Sequence, residues 1–120
     1  MAYKQKIGIL GEEIAKKFLL SKGYLILGTN FKVRGGEVDL VCRKGKLLIF
    51  VEVKTRTNRN FGYPEESFDF RKRQRFQKAV FRYLLKNRCQ GPWQADLIGL
   101  EIDKITKKAE LRHYQGVELE

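Results

Sequence analysis

The sequence predicts an α/β domain in which a mixed β-sheet of about five strands is flanked by helices, in the order α-β-β-β-α-β-β. Two helices are predicted at residues 5–22 and from Ser67 or Asp69 to about Asn87, because apolar residues recur there at the helical period. The strand-like segments, alternating or continuously apolar, are residues 24–32, 37–42, 47–54, 93–102 and 109–114. With 120 residues, 42% of them hydrophobic, the chain is expected to form one domain over residues 1–120.

The first helix, residues 5–22, should end at the glycine that follows it. Its predicted buried face carries Ile7, Leu10, Gly11, Ile14 and Phe18. On this helix Glu13 points into solvent, whereas Glu12 lies on the flank of the buried face. Small residues at Gly8 and Ala15 would let another element approach closely. Glu12 is therefore a candidate site residue, and an ordinary boundary glutamate is the alternative.

The second and third strands form a predicted β-hairpin around a turn at residues 45–46. If that turn has two residues, Asp39 lies opposite Glu52, and Glu37 lies opposite Lys54. All four side chains then share one face of the sheet, a conclusion that requires a turn of even length. The third strand is apolar on both faces for most of its length, which predicts a central strand covered on both sides.

The chemistry of this shared face favours a divalent cation. Directly opposed carboxylates repel one another, and Glu52 ends a long apolar run where an uncompensated charge is costly. Mg²⁺ or Mn²⁺ held by Asp39 and Glu52, with Glu12 as a further ligand directly or through water, would compensate that charge. Lys54 would orient or activate an attacking water molecule. The alternative is a structural ion pair between Lys54 and either Glu37 or Asp39.

The charge distribution favours a polyanionic partner, and nucleic acid, above all DNA, is expected. The net charge is +11, and residues 54–88 contain eleven Lys or Arg against three acidic residues. The candidate phosphate-binding residues are Arg56, Arg59, Arg71, Lys72, Arg73, Arg75, Lys78 and Arg82. In the second helix Lys78, Arg82 and Lys86 recur at every fourth position, which predicts a basic stripe. A merely solvated basic surface is the alternative.

Two aromatic residues, Phe61 and Tyr63, lie in the basic loop of residues 55–64. They could stack on an exposed base, although packing in the core is the more frequent role of such residues. Both roles remain open at the level of the sequence.

Several function classes are disfavoured. Cys42 and Cys89 form no metal-binding or disulfide pattern with His113, so free thiols in a reducing compartment are expected. The N-terminus lacks the long apolar stretch of a signal peptide, and the longest apolar run, residues 47–51, is too short to cross a membrane. A cytoplasmic, soluble protein without membrane contact is therefore expected.

Three blocks occur in a familiar order: GILGEEIA at residues 8–15, GGEVDL at residues 35–40 and IFVEVKTR at residues 49–56. They resemble the YraN-like family of bacterial proteins, whose function is uncharacterised. This family is similar to the restriction-endonuclease-like superfamily with the PD-(D/E)XK signature, and most of all to archaeal-type Holliday junction resolvases. Val38 stands where the signature has proline, and Gln94-Ala95 precede Asp96 where family members often carry Arg-Phe.

The resemblance implies a restriction-endonuclease-like core. Asp39 then supplies the signature aspartate, Glu52 and Lys54 the E-x-K half, and Glu12 the helix glutamate of resolvase-like members. The implied activity is a Mg²⁺-dependent DNA endonuclease, a hydrolase selective for branched or junction-like DNA, and resolvases suggest a homodimer by analogy. The alternative is a nucleic-acid-binding module without catalysis that serves a partner complex, and RNA is a third, weaker option as substrate.

Overall fold

The computed structural model describes residues 2–120, which form two α-helices and five β-strands. The elements are α1 (Tyr3–Ser21), β1 (Leu25–Val33), β2 (Gly36–Lys44), β3 (Leu47–Arg56), α2 (Phe70–Lys86), β4 (Trp93–Ile102) and β5 (Ala109–Tyr114). Their order confirms the predicted α-β-β-β-α-β-β arrangement. A short 3-10 helix, Pro64–Ser67, precedes α2 and was not predicted.

The five strands form one mixed sheet in the order β1-β2-β3-β4-β5. β3 and β4 are parallel, whereas the other neighbouring strands are antiparallel. β3 is the middle strand and is covered on both faces, as predicted. Ile49 and Val51 belong to the core that includes α1, and Phe50 belongs to the core that includes α2. The two helices therefore pack on opposite faces of the sheet.

The hairpin between β2 and β3 has the predicted two-residue turn, because Lys44 pairs with Leu47. Residue numbers in each pair sum to 91 as far as Leu40 and Val51, where the ladder ends, one pair before Asp39 and Glu52. Asp39 also has no partner in the ladder between β1 and β2, where the pairs on either side of it are Thr29 with Leu40 and Phe31 with Val38.

The regular alternation of β2 is interrupted at Asp39. Val38 and Val41, three residues apart, pack in the same core, which a regular strand would not allow. Opposite Asp39, on β1, Asn30 has a positive φ of 51°. The interruption frees Asp39 from ordinary strand pairing, so the prediction of four side chains on one regular face is too simple.

α1 is rolled relative to its prediction. Its buried residues are Gly11, Ala15 and Leu19, whereas the predicted core residue Leu10 is 44% exposed. The roll brings the backbone of Gly11 against β3, where an added Cβ would overlap the side chain of Thr55. The close approach therefore occurs at Gly11, next to Glu12, and not at Gly8, where a Cβ would meet open space.

α2 begins directly after Asp69, one of the two predicted caps, whose side chain accepts a hydrogen bond from the backbone N–H of Lys72 at 3.0 Å. Its buried residues are Phe76, Ala79 and Val80. Within residues 2–120 no helix is long and apolar enough to span a membrane. Both cysteines are free thiols, as expected.

Candidate active site

Asp39 lies at the end of the β2–β3 ladder and reaches across to β3. Its Oδ2 accepts a hydrogen bond from the backbone N–H of Val53 at 2.8 Å. A carboxylate thereby takes the donor that the neighbouring strand leaves free where pairing stops. This bond holds the half-buried Asp39 side chain beside Glu52, the residue that precedes Val53.

Glu52 is a carboxylate inside the sheet, with only 7% of its surface exposed. Its Oε2 lies 3.0 Å from Nζ of Lys54, but among residues 2–120 its buried Oε1 has no hydrogen-bond partner. Burial raises the pKa of Glu52 well above its usual range, and the negative charge of Asp39, together with the hydrogen bond that a protonated Glu52 donates to it, raises the pKa further. Such an unpaired buried oxygen is unfavourable, so Glu52 has unused capacity to bind a donor or a cation.

Glu12 extends from α1 towards the same carboxylates. Burial raises its pKa, and the charge of Asp39 adds to the effect, whereas Lys16 and a hydrogen bond with Asn30 oppose it. Its neighbour Glu13 is exposed and pairs with Lys16 at 3.0 Å. The structure therefore brings Glu12 into the electrostatic field of Asp39 and leaves Glu13 at the surface.

Glu37 does not join this group. It is exposed, and its Oε2 lies 4.0 Å from Nζ of Lys32, itself exposed on β1. Among the described residues Lys54 forms an ion pair with Glu52, so the structural ion pair considered as an alternative is present, with a partner other than Glu37 or Asp39.

A cavity of about 510 Å³ opens beside these residues, a volume typical of small-ligand pockets. Glu12, Asp39 and Lys54 line it, together with the predicted phosphate-binding residue Arg56. Glu52 does not line the cavity. It is buried beside it and forms an ion pair with Lys54, which does line it. Further lining residues that the sequence did not suggest are Tyr3, Lys4, Thr55 and Lys104.

Some of the residues that the sequence analysis did not single out could have been inferred from the sequence, and others could not. Lys4 precedes Gly8 and Glu12 at four-residue intervals, so helical periodicity could have placed it on the same face of α1. Asn30 could have been noticed because asparagine tolerates positive φ values better than most residues do. Lys104 comes from the turn between β4 and β5, and no local pattern in the sequence connects it to Asp39.

One structural observation indicates that the carboxylates of Asp39 and Glu52 fit Mg²⁺ or Mn²⁺. The buried Oε1 of Glu52 has no hydrogen-bond partner among the described residues. Within residues 2–120 no three His, Cys, Asp or Glu side chains are grouped closely enough to hold a metal ion by themselves. Mg²⁺ commonly uses only one or two protein carboxylates and keeps several water ligands, a requirement that Asp39 and Glu52 meet.

The predicted phosphate-binding residues fall into two groups. Arg71, Lys72, Arg75, Lys78 and Arg82 are exposed along α2, and Nζ of Lys78 reaches the β1–β2 turn at Gly35, four residues before Asp39. By contrast, Arg59 pairs with Glu101, and Arg73 is partly buried and donates to the carbonyl oxygen of Phe68. The structure therefore engages Arg59 and Arg73 within the protein.

A network of charged residues fixes the loop between β3 and α2. The guanidinium of Arg112, on β5, pairs with Glu65 and Glu101. The ring of Tyr63 lies between two guanidinium groups, with its centroid 4.7 Å from Arg59 and 5.2 Å from Arg112. The hydrogen bond from Arg112 lowers the pKa of Glu65 to about 2. Tyr63 is thus a structural residue of this network.

Asp96, on β4, is fully buried, but its hydrogen-bonding capacity is used. It accepts hydrogen bonds from Gln94 Nε2 at 2.9 Å and from the backbone N–H of Gly116 at 3.0 Å. Its Oδ2 lies 2.7 Å from Nε2 of His113. Asp96 therefore anchors the segment after β5, and it is not one of the residues that line the cavity.

The fold and the site define a small α/β protein whose carboxylates and lysine meet where the pairing of two central strands ends. The chain belongs to the uncharacterised protein family UPF0102, whose family model matches residues 11–100. This is the YraN-like family that the sequence resembles.

Individual relatives agree with this assignment. A UPF0102 protein of Alkaliphilus oremlandii is 36% identical over 113 residues, which cover 93% of this chain and 97% of the relative. A UPF0102 protein of Carboxydothermus hydrogenoformans is 35% identical over 115 residues, 95% of this chain and 96% of the relative. One from Dictyoglomus turgidum is 49% identical over 80 residues, 67% of this chain and 68% of the relative.

Proposed function

We propose that this protein is a metal-dependent DNA endonuclease that hydrolyses phosphodiester bonds at the cavity lined by Glu12, Asp39 and Lys54. The observation that carries the proposal is the buried Oε1 of Glu52, without a partner among the described residues and beside a second carboxylate, Asp39. A protein gains nothing for its own stability from such a pair, because the buried Glu52 loses hydration and the neighbouring Asp39 repels its charge. A site that binds a divalent cation explains the arrangement.

Each residue has a role that its position supports. Asp39 and Glu52 would hold Mg²⁺ or Mn²⁺, and Glu12 would add a water-mediated contact. The bound cation would supply charge stabilisation and a more acidic water molecule. Lys54, 3.0 Å from Glu52, would orient that water or stabilise negative charge on the phosphate oxygens.

The resemblance to the PD-(D/E)XK superfamily supports the same assignment, since Asp39 and the pair Glu52 and Lys54 match its signature positions. Substrate binding rests on the exposed basic face of α2 and on Arg56 at the cavity. These contacts involve phosphate, so the affinity for DNA is expected to fall steeply with salt. Selectivity would then depend on the shape of the DNA, as in enzymes that cut junctions or branches.

The test is a nicking assay on supercoiled plasmid, four-way junction and single-stranded DNA, with Mg²⁺, with Mn²⁺ and with EDTA. Metal-dependent cleavage that is lost in Asp39→Ala and Glu52→Ala supports the proposal. The neighbouring glutamates provide a matched pair, because Glu12→Gln should slow cleavage whereas Glu13→Gln should not. Cleavage that persists in Asp39→Ala and Glu52→Ala would contradict the proposed site.

One observation favours the alternative, a nucleic-acid-binding module without catalysis. Lys54 already pairs with Glu52, which partly compensates the buried carboxylate without any metal. In that case the protein binds DNA in a salt-dependent manner, shows no cleavage with either metal, and gains no thermal stability from Mg²⁺ or Mn²⁺. A structure obtained after soaking with Mn²⁺ separates the two functions directly, because anomalous density between Asp39 and Glu52 is expected only for the nuclease.

A further inference from the structure

The loop after β3 presents an apolar ring to solvent. Phe61 is 90% exposed, although burying such a ring would be favourable. Its backbone is held in a turn, because the N–H of Gly62 donates to the carbonyl oxygen of Arg59 at 3.0 Å. Arg59 is in turn paired with Glu101 on β4. The loop that carries the exposed Phe61 side chain is therefore anchored to the rest of the protein.

The other aromatic residue of this loop behaves differently. The guanidinium groups of Arg59 and Arg112 contact the ring of Tyr63, which is 44% exposed. Among the described residues no aromatic or cationic side chain is placed in the same way against Phe61. Of the two loop residues that could stack on a base, Phe61 is the more exposed, at 90% against 44% for Tyr63.

Phe61 lines the same cavity as Glu12, Asp39 and Lys54. Tyr3, at the start of α1, also lines this cavity and is 52% exposed. Nζ of Lys104 lies 4.9 Å from the centroid of the Tyr3 ring. The cavity thus combines aromatic rings with cationic side chains, the combination with which proteins bind the bases and the backbone of unpaired nucleic acid.

We propose that Phe61, assisted by Tyr3, stacks on an unpaired nucleobase next to the phosphate that enters the site. This inference rests on the proposed nuclease function and specifies its substrate class, a DNA strand with at least one unpaired nucleotide beside the cut. In a continuous duplex both faces of each base are covered by neighbouring base pairs, so the ring would have no face to contact. A gap, a flap or a single strand offers such a base.

The test measures binding in EDTA, so it does not depend on cleavage. Fluorescence anisotropy compares a fully paired duplex with the same duplex carrying a short single-stranded gap, for wild type, Phe61→Ala, Phe61→Trp and Leu85→Ala. Leu85 is a matched control, since it is apolar and 78% exposed but lies on α2 away from the cavity. Thermal unfolding of each variant verifies folding, and Phe61 is too exposed for its loss to damage the core.

Phe61→Ala should weaken binding to the gapped DNA roughly tenfold and leave duplex binding unchanged, as expected for the loss of one stacked base. Phe61→Trp should retain gap binding, and Leu85→Ala should match wild type. Equal weakening for both DNAs, or no change for either, would overturn the stacking role. The proposed function fails separately, because absence of cleavage in Mg²⁺ and Mn²⁺ would reject the nuclease even if the gap preference depends on Phe61.

Discussion

The carboxylate of Asp39 and the backbone N–H of Val53 are joined by a hydrogen bond of 2.8 Å across the point where β2 and β3 stop pairing. A neutral donor thus positions the aspartate without neutralising its charge. That charge acts on both neighbouring glutamates, because it contributes to the raised pKa of Glu12 and of Glu52. The same bond therefore positions Asp39 and leaves its negative charge free to act on Glu12 and Glu52.

Two substitutions at Asp39 separate these roles. Asp39→Asn retains an oxygen that can accept from Val53, whereas Asp39→Ala leaves that buried N–H without an acceptor, at a cost of about 1–3 kcal/mol. Urea unfolding should therefore show Asp39→Ala to be less stable than Asp39→Asn, while both lose metal-dependent cleavage. Equal stability of the two variants would show that the hydrogen bond to Val53 is unimportant for folding.

Glu52→Gln should change how stability depends on pH in EDTA. The ordinary pKa of a glutamate is 4.5, and the folded protein raises that of Glu52, so the folded state binds this proton more tightly than the unfolded state does. Wild type should lose stability as pH rises from 4.5 towards the raised pKa, by at most about 1.4 kcal/mol per pH unit. Glu52→Gln should lack this loss in urea titrations at several pH values.

The proposed metal site adds a second readout for the same variant. Mg²⁺ or Mn²⁺ should raise the melting temperature of wild type and of Glu13→Gln, but not that of Glu52→Gln, because only folded protein with both carboxylates binds the ion. Stabilisation of Glu52→Gln equal to that of wild type would place metal binding elsewhere.

Much of the fold and the candidate site could be predicted because both follow from short-range rules. A two-residue turn after Lys44 fixes the β2–β3 register, and this register brings Asp39 and Glu52 together one pair beyond the end of the ladder. Asp69 could be recognised as a helix cap because side chains of its type satisfy the free N–H groups at a helix start.

The remaining features depend on tertiary packing, which the local pattern does not contain. The roll of α1 follows from the fit of Gly11 against Thr55, a contact between residues far apart in the chain. The interruption of β2 at Asp39 arises where two ladders end together, and it replaces a regular face with one reoriented carboxylate. Likewise, no local pattern in the sequence indicates that Arg59 pairs with Glu101, which lies 42 residues further along the chain.

The Glu65–Arg112 pair should make stability sensitive to acid. The pKa of Glu65 falls from 4.5 to about 2, so the pair stabilises the protein fully above pH 4.5 and loses this effect as pH falls towards 2. Glu65→Gln should cost about 2 kcal/mol at neutral pH and less at low pH, which denaturant unfolding can measure. The exposed Glu118→Gln is the control, and a cost for Glu65→Gln that does not shrink in acid would contradict the assignment.

The exposed basic residues of α2 should contribute to DNA binding, whereas Arg59, which pairs with Glu101, should not. Lys78→Ala and Arg82→Ala remove exposed charges on α2, so each should weaken duplex binding and lower the slope of log affinity against log salt by about one. Arg59→Ala should leave that slope unchanged, because its guanidinium is engaged with Glu101. Anisotropy titrations at several salt concentrations measure the slopes, and a full unit of change in Arg59→Ala would assign it to the DNA surface.

Two glycines three residues apart in Tyr3–Ser21, Gly8 and Gly11, test whether the packing of α1 positions Glu12. An added Cβ at Gly11 would overlap Thr55, so Gly11→Ala should destabilise the protein by about 1–3 kcal/mol and, by displacing α1, should slow cleavage. At Gly8 the same methyl group meets open space, so Gly8→Ala should instead raise stability by up to about 1 kcal/mol through helix propensity. Urea unfolding of both variants gives the comparison. Because the two substitutions add the same atoms to the same helix, opposite signs can only come from the contact with β3, and equal effects would mean that α1 does not pack on β3 through Gly11.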